Sequence, residues 1–141
     1  MTDPKELRLL AADVADLAII SAALQDAVAK IGDIAFDAGA RSLTLALNRY
    51  RWEAGRPERV RAALQFGGVL SVQTRKIRRD RPDAVLSLLS VGFEAGGPPG
   101  GVIDLTFAGG GDLRIQVECL DVVMADISAP WPTPREPRHE L

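Results

Sequence analysis

From Ile34 onward, apolar and polar residues alternate in one short run after another. The clearest case surrounds a glycine triplet. Ile103, Leu105 and Phe107 alternate with Asp104 and Thr106, and Gly109-Gly110-Gly111-Asp112 follows. Leu113, Ile115, Val117 and Cys119 then alternate with Arg114, Gln116 and Glu118. Successive side chains of a strand point to opposite faces, so each arm has one apolar and one polar face. Two such arms about a glycine-rich turn predict an antiparallel hairpin with a loop longer than the two-residue kind. Cys119 closes the inward row. A lone hairpin is marginal in water, so the rest of the chain must cover its apolar face.

Leu7, Leu9 and Leu10 form a short apolar piece that suits an edge strand. Asp13 then offers an N-cap and Asp16 a carboxylate for the first helical turn. Val14, Leu17, Ser21, Leu24, Val28 and Ile31 recur at steps of three or four and predict one amphipathic helix over about 13–29, stopped by Gly32. Ile34 and Phe36 begin the next alternation. Leu43, Leu45 and Leu47 share a face opposite Thr44, Ala46, Asn48, Tyr50 and Trp52, and Arg49 and Arg51 prolong the leucine face beyond the core.

Val60, Ala62, Leu64 and Phe66 alternate up to Gly67-Gly68, which reads as a bulge in one long strand running on through Thr74 rather than as a break between two. Residues 74–83 form a basic loop. Val85 to Phe93 alternates but carries Leu86 and Leu88 as well, which predicts a central strand partly covered by the helix. Residues 120–127 fit a helix through Leu120, Val123, Met124 and Ile127, or a strand through Leu120, Val122 and Met124; the paired valines favour a bent strand. Pro130, Pro132, Pro134 and Pro137 impose an extended tail, with Trp131 placed to pin it.

The sum is an α+β fold: one domain over residues 1–128, an antiparallel meander of six to seven strands with the N-terminal helix packed on it, and a proline-rich tail over 129–141. A strongly curled sheet or partly open barrel, of the general kind seen in pleckstrin-homology-like modules, is the other way to arrange these strands. That likeness is architectural and carries no function.

Composition changes this picture little. The hydrophobic fraction of 47% and charged fraction of 26% in 141 residues are ordinary for one globular domain. One cysteine permits no internal disulfide, residues 1–6 are polar, and no apolar run approaches the roughly eighteen residues of a membrane span. These features predict a soluble cytoplasmic protein.

Charge is distributed more tellingly. The net charge of −2 hides a basic middle: Arg41 to Arg81 holds 11 Lys and Arg against 3 Asp and Glu, a net of +8, and the rest of the chain carries −10. Arginines grip phosphate in pairs of hydrogen bonds and aromatics offer stacking faces, so Arg49, Arg51, Arg75, Lys76, Arg78, Arg79 and Arg81 are candidates for binding an anion or nucleic acid. The plainer account is a set of solvated strand faces and one exposed loop. The acidic balance of the whole chain also argues against strong non-specific binding to nucleic acid.

Catalytic and metal-binding patterns are weak. His139, the lone histidine, lies in the tail, where nothing holds it near a substrate. Cys119 reads as a small strand hydrophobe with no histidine nearby in sequence. One Cys and one His do not make a zinc set. The glycine clusters lack the Gly-Lys-Ser/Thr ending and the strand-to-helix setting of a phosphate cradle. Asp13, Asp16, Asp26 and Asp33 gather around the helix, but Asp13 and Asp16 already have capping roles. No catalytic, cofactor-binding or metal-binding residue is assigned.

Several segments together are similar to one family: Asp16-Leu17, Ile20 to Val28, Gly32-Asp33, Asn48-Arg49-Tyr50-Arg51-Trp52-Glu53, Pro82 to Leu89, Phe107 to Gly111 and Val117-Glu118-Cys119. They resemble a proteobacterial family known as domain of unknown function 2948. The resemblance implies a bacterial cytoplasmic protein made of a single domain, and it assigns no activity, ligand or catalytic residue. The function expected is a non-enzymatic binding or interaction module, with a protein partner or a second copy as ligand. The alternatives are RNA or phosphate binding through the arginines of 49–81, and an enzyme using carboxylates and arginines in a pocket. No cofactor and no membrane association are expected.

Overall fold

The computed structural model describes residues 6–134 and Pro137. Its strands are β1 (Arg8–Ala11), β2 (Val28–Lys30), β3 (Ile34–Asp37), β4 (Ser42–Tyr50), β5 (Glu58–Phe66), β6 (Val69–Arg75), β7 (Val85–Ala95), β8 (Gly101–Phe107), β9 (Asp112–Val117), β10 (Val122–Asp126) and β11 (Trp131–Pro132). Among the described residues the one α-helix, α1, spans Val14–Ala23, and single 3₁₀ turns occupy Ile31–Asp33 and Trp52–Ala54. Every pairing is antiparallel, in the order β1-β10-β5-β4-β2-β7-β8-β9-β6, with β3 added to β4 and β11 to β5. The path ends at β1 and β6 and does not close.

The helix and the antiparallel class agree with the hydrophobic pattern. The count does not: there are 11 strands among the described residues, not six to seven, and neighbours in the sheet are often distant in sequence, unlike a simple meander. The short strands β2 and β11 account for part of the difference. They carry too few residues to show a period and exist because longer strands offer them an edge.

The helix is also shorter than its sequence stripe. Asp13 caps it as expected, accepting from the Asp16 N–H at 2.8 Å. Leu17, Ile20 and Leu24 are buried, and the Ser21 hydroxyl accepts from the Val91 N–H at 2.9 Å, which fastens α1 to β7. The chain then leaves helical geometry. Asp26 takes a φ of 65°, and its N–H donates to the Leu88 carbonyl at 2.8 Å. Val28–Lys30 becomes a strand between β4 and β7, opposite Asn48 and Ser87. Tertiary pairing overrides local helix preference there.

Gly67-Gly68 separates two strands and is not a bulge within one. Gly68 has a φ of 62° and turns the chain, so that β5 lies between β4 and β10 while β6 pairs with β9. The hairpin of β8 and β9 has the expected register, with Ile103 opposite Ile115 and Leu105 opposite Leu113. Gly109 and Gly110 take φ of 89° and 95° in its turn, where a side chain would strain the backbone. Residues 122–126 are strand, as the valine pair suggested. Cys119 falls beyond the end of β9 and is exposed, so the inward row stops at Val117.

Leu43, Leu45, Leu47, Ala62, Leu64 and Phe66 meet Ile103, Leu105, Phe107, Leu113 and Ile115 in one cluster, with α1 closing one side. The tail is held by backbone pairing: Trp131 and Pro132 lie opposite Arg59 and Glu58.

Candidate functional site

The leucine face of β4 continues inward to its end. Arg49 follows Leu47 on that face and is 0% exposed. Its Nε and Nη2 donate to the two oxygens of Asp126 at 2.8 Å each. Nη1 and Nη2 donate to Glu53 at 3.0 and 2.7 Å, and Nη1 reaches the Tyr50 carbonyl at 3.4 Å. All five donors of the guanidinium are thus committed. Burial alone would weaken its charge, but the two carboxylates outweigh that and hold Arg49 above the ordinary arginine range. Arg51 is nearly as buried and donates to Glu58 at 2.6 Å. These two candidates hold the fold together, and their charges are spent inside it. Tyr50 is buried too, edge-on to Trp52 with ring centroids 4.7 Å apart, and presents no open face to a base.

The remaining candidates cluster where β6 leaves the sheet. Arg75 pairs with Asp112 across the β6–β9 ladder. Arg78 grips Asp80 through Nε and Nη2 at 3.2 and 3.1 Å, and those bonds hold the Asp80 carboxyl below its usual range. Lys76, Arg79 and Arg81 are exposed and have no ion pair or side-chain hydrogen bond among the described residues. The structure therefore splits the sequence candidates into an internal pair, Arg49 and Arg51, and a surface group.

Beside that surface group lies a cleft of about 550 Å³. Ile34 and Phe36 of β3 form one wall, Val72 and Thr74 of β6 the other, and Leu43 and Leu113 line it from the core. Ile77 and Arg79 of the basic loop line it as well. β3 pairs with β4 alone and β6 with β9 alone, so each wall has an unpaired backbone edge. Towards one end the two walls are joined where the Val69 N–H donates to the Arg41 carbonyl at 2.9 Å. Towards the other, the Gly32 N–H donates to the Pro82 carbonyl at 2.8 Å. A Cβ on Gly32 would sit only 3.0 Å from that of Pro82, so a larger residue there would have to push Pro82 aside by a few tenths of an ångström. The two contacts also fix direction: β3 and β6 run in opposite senses along the cleft.

Sequence reading found Arg79 but not the apolar walls. Ile34 and Phe36 looked like one more buried row. The available signal was the brevity of that row, since four residues with a single partner strand leave Phe36 43% exposed.

A second, polar depression lies on the outer face of β6, β9 and β8, where Asp104 and Asp112 meet Arg114 and Arg75. Both ion pairs join residues directly opposite one another in the ladder, so strand register explains them. Among the described residues, no three His, Cys, Asp or Glu side chains gather as metal ligands would, and no helix is long and apolar enough to cross a membrane. His139 lies outside the described residues.

No curated protein and no solved structure matches this chain. One family model does, over residues 7–139, and the chain belongs to that family, described as protein of unknown function (DUF2948).

Proposed function

We propose that the protein is a cytoplasmic, non-enzymatic binding module whose ligand enters the cleft between β3 and β6. The carrying observation is the coincidence of an apolar opening with Arg79, a lining cation that has no ion pair among the described residues. Many other arginines of the fold are paired, among them Arg41 with Glu118, Arg61 with Asp33 and Arg114 with Asp104. Ligand sites are typically apolar clefts with a few well-placed polar groups, and this cleft has that character.

Anilinonaphthalene sulfonate, which joins apolar rings to one anionic group, is a suitable probe. In a titration followed by backbone amide shifts, changes should concentrate at Ile34, Phe36, Val72, Ile77 and Arg79. Phe36→Asp should remove them while the remaining spectrum stays folded. Changes scattered over the surface, or unaffected by Phe36→Asp, would defeat the reading.

A second reading, binding of RNA or a phosphate ligand, is supported by the loop cations Lys76, Arg79 and Arg81, which have no ion pair among the described residues, beside Arg75 and Arg78. Phosphate contacts weaken steeply with salt, so affinity for a short oligonucleotide that is unchanged by added salt would eliminate it. The enzyme alternative has as its support the polar depression bearing Asp104 and Asp112, whose carboxylates already have their cross-strand partners.

A further inference from the structure

Resting on the cleft as the binding face, we infer that its occupant is an extended peptide with alternating apolar and acidic residues, which adds as a strand along the free edge of β6. The edges provide the first argument. β6 is 7 residues long and pairs with β9 alone, so that beyond Val69, whose N–H is taken by the Arg41 carbonyl, its second edge carries no strand. Exposed edges of this kind recruit strands from partners, with main-chain bonds giving affinity and alternate side chains giving specificity.

The shape of the cleft agrees. Val72 and Thr74 alternate along β6 and face the cleft, and Ile34 and Phe36 do the same along β3. A strand laid between them would turn every second side chain inward over Leu43 and Leu113, where apolar residues are favoured. The others would point out to solvent.

Charge selects among possible strands. Residues 75–84 carry Arg75, Lys76, Arg78, Arg79 and Arg81 against Asp80 and Asp83, five basic and two acidic, a net of +3 beside the end of β6. Lys76, Arg79 and Arg81 need anions that the described residues do not supply. An incoming segment with carboxylates on its outward positions supplies them; a basic segment is repelled.

The test uses the full chain and two acetylated peptides of β6 length, one alternating valine with glutamate, the other valine with lysine. The valine–glutamate peptide should slow amide exchange at alternate residues of β6, and added salt should weaken it. The lysine peptide should bind at least about tenfold more weakly. Arg79→Glu, on an exposed loop, should cost the glutamate peptide about fivefold or more and narrow the gap between the two. The inference is overturned if millimolar glutamate peptide leaves β6 exchange unchanged, or if both peptides bind alike. It is overturned as well if β6 becomes protected with rising protein concentration alone, which means a second copy takes the edge, or if an oligouridylate binds the loop and the peptide does not. Should anilinonaphthalene sulfonate still enter the cleft while the peptide fails, the strand occupant falls and the binding face stands.

Discussion

Arg49 and Asp126 lie 77 residues apart in sequence and meet through two parallel hydrogen bonds of 2.8 Å, with neither side chain open to water. Asp126 also accepts from the Leu7 N–H at 2.9 Å, so one carboxylate joins β4, β10 and the approach to β1. Removing one partner of a buried pair leaves an uncompensated charge, which costs about 3–5 kcal/mol. Asp126→Ala should lose stability on that scale in urea unfolding. Replacing both residues, as Arg49→Met with Asp126→Leu, should recover a large part of the loss, because no charge is then stranded. A double variant no more stable than Asp126→Ala would show that the pair matters through something other than its charge.

Glu53 gives this network its pH dependence. Hydrogen bonds from Arg49 hold its carboxyl below the ordinary 4.5. The unfolded chain therefore binds more protons through this group than the folded one as acid is added. Its stabilising contribution is complete above about 4.5 and disappears as pH falls through the lower folded value. Unfolding free energies measured from neutral to acid pH should fall less steeply in Glu53→Gln than in the parent. Parallel curves would remove Glu53 from the account.

Two strand glycines should respond oppositely to alanine. A Cβ on Gly101 would press on the Glu94 carbonyl oxygen and lie 2.6 Å from Cζ of Phe93. Crowding of this kind costs about 1–3 kcal/mol, so Gly101→Ala should lower the thermal midpoint. Nothing lies within 4 Å of a Cβ on Gly92. Gly92→Ala should be neutral or stabilise by up to about 1 kcal/mol, because it restricts the unfolded chain. Calorimetry on both variants reads the difference.

Cys119 is exposed beyond the end of β9. A thiol-specific reagent should modify the native protein nearly as fast as the denatured chain, and the circular dichroism spectrum should not change. Reaction only after denaturant is added would place the side chain inside.

The hairpin of β8 and β9, the capped start of α1 and the long rows of β4, β5 and β7 were legible because each declares itself within its own segment. The cleft was not. Its walls, Ile34 and Phe36 against Val72 and Thr74, come from separate strands brought together at Arg41–Val69 and Gly32–Pro82, contacts that no local period records. The arginines show the same limit. Arg49 and Arg79 look alike as charges in a basic stretch. Burial behind Asp126 makes one a strut, and an open loop leaves the other exposed beside a cleft.

Local chemistry by itself determined the antiparallel strand class, the start of the helix at its Asp13 cap, and the glycine turn at 109–111. These depend on backbone preferences and on burial of the nearest apolar face, which neighbours in sequence dictate. Tertiary structure alone decided where that helix ends, which strands lie side by side, and which cations remain unpaired. Those outcomes depend on competition among distant partners for the same hydrogen bonds and carboxylates, and that competition is resolved only when the chain is assembled.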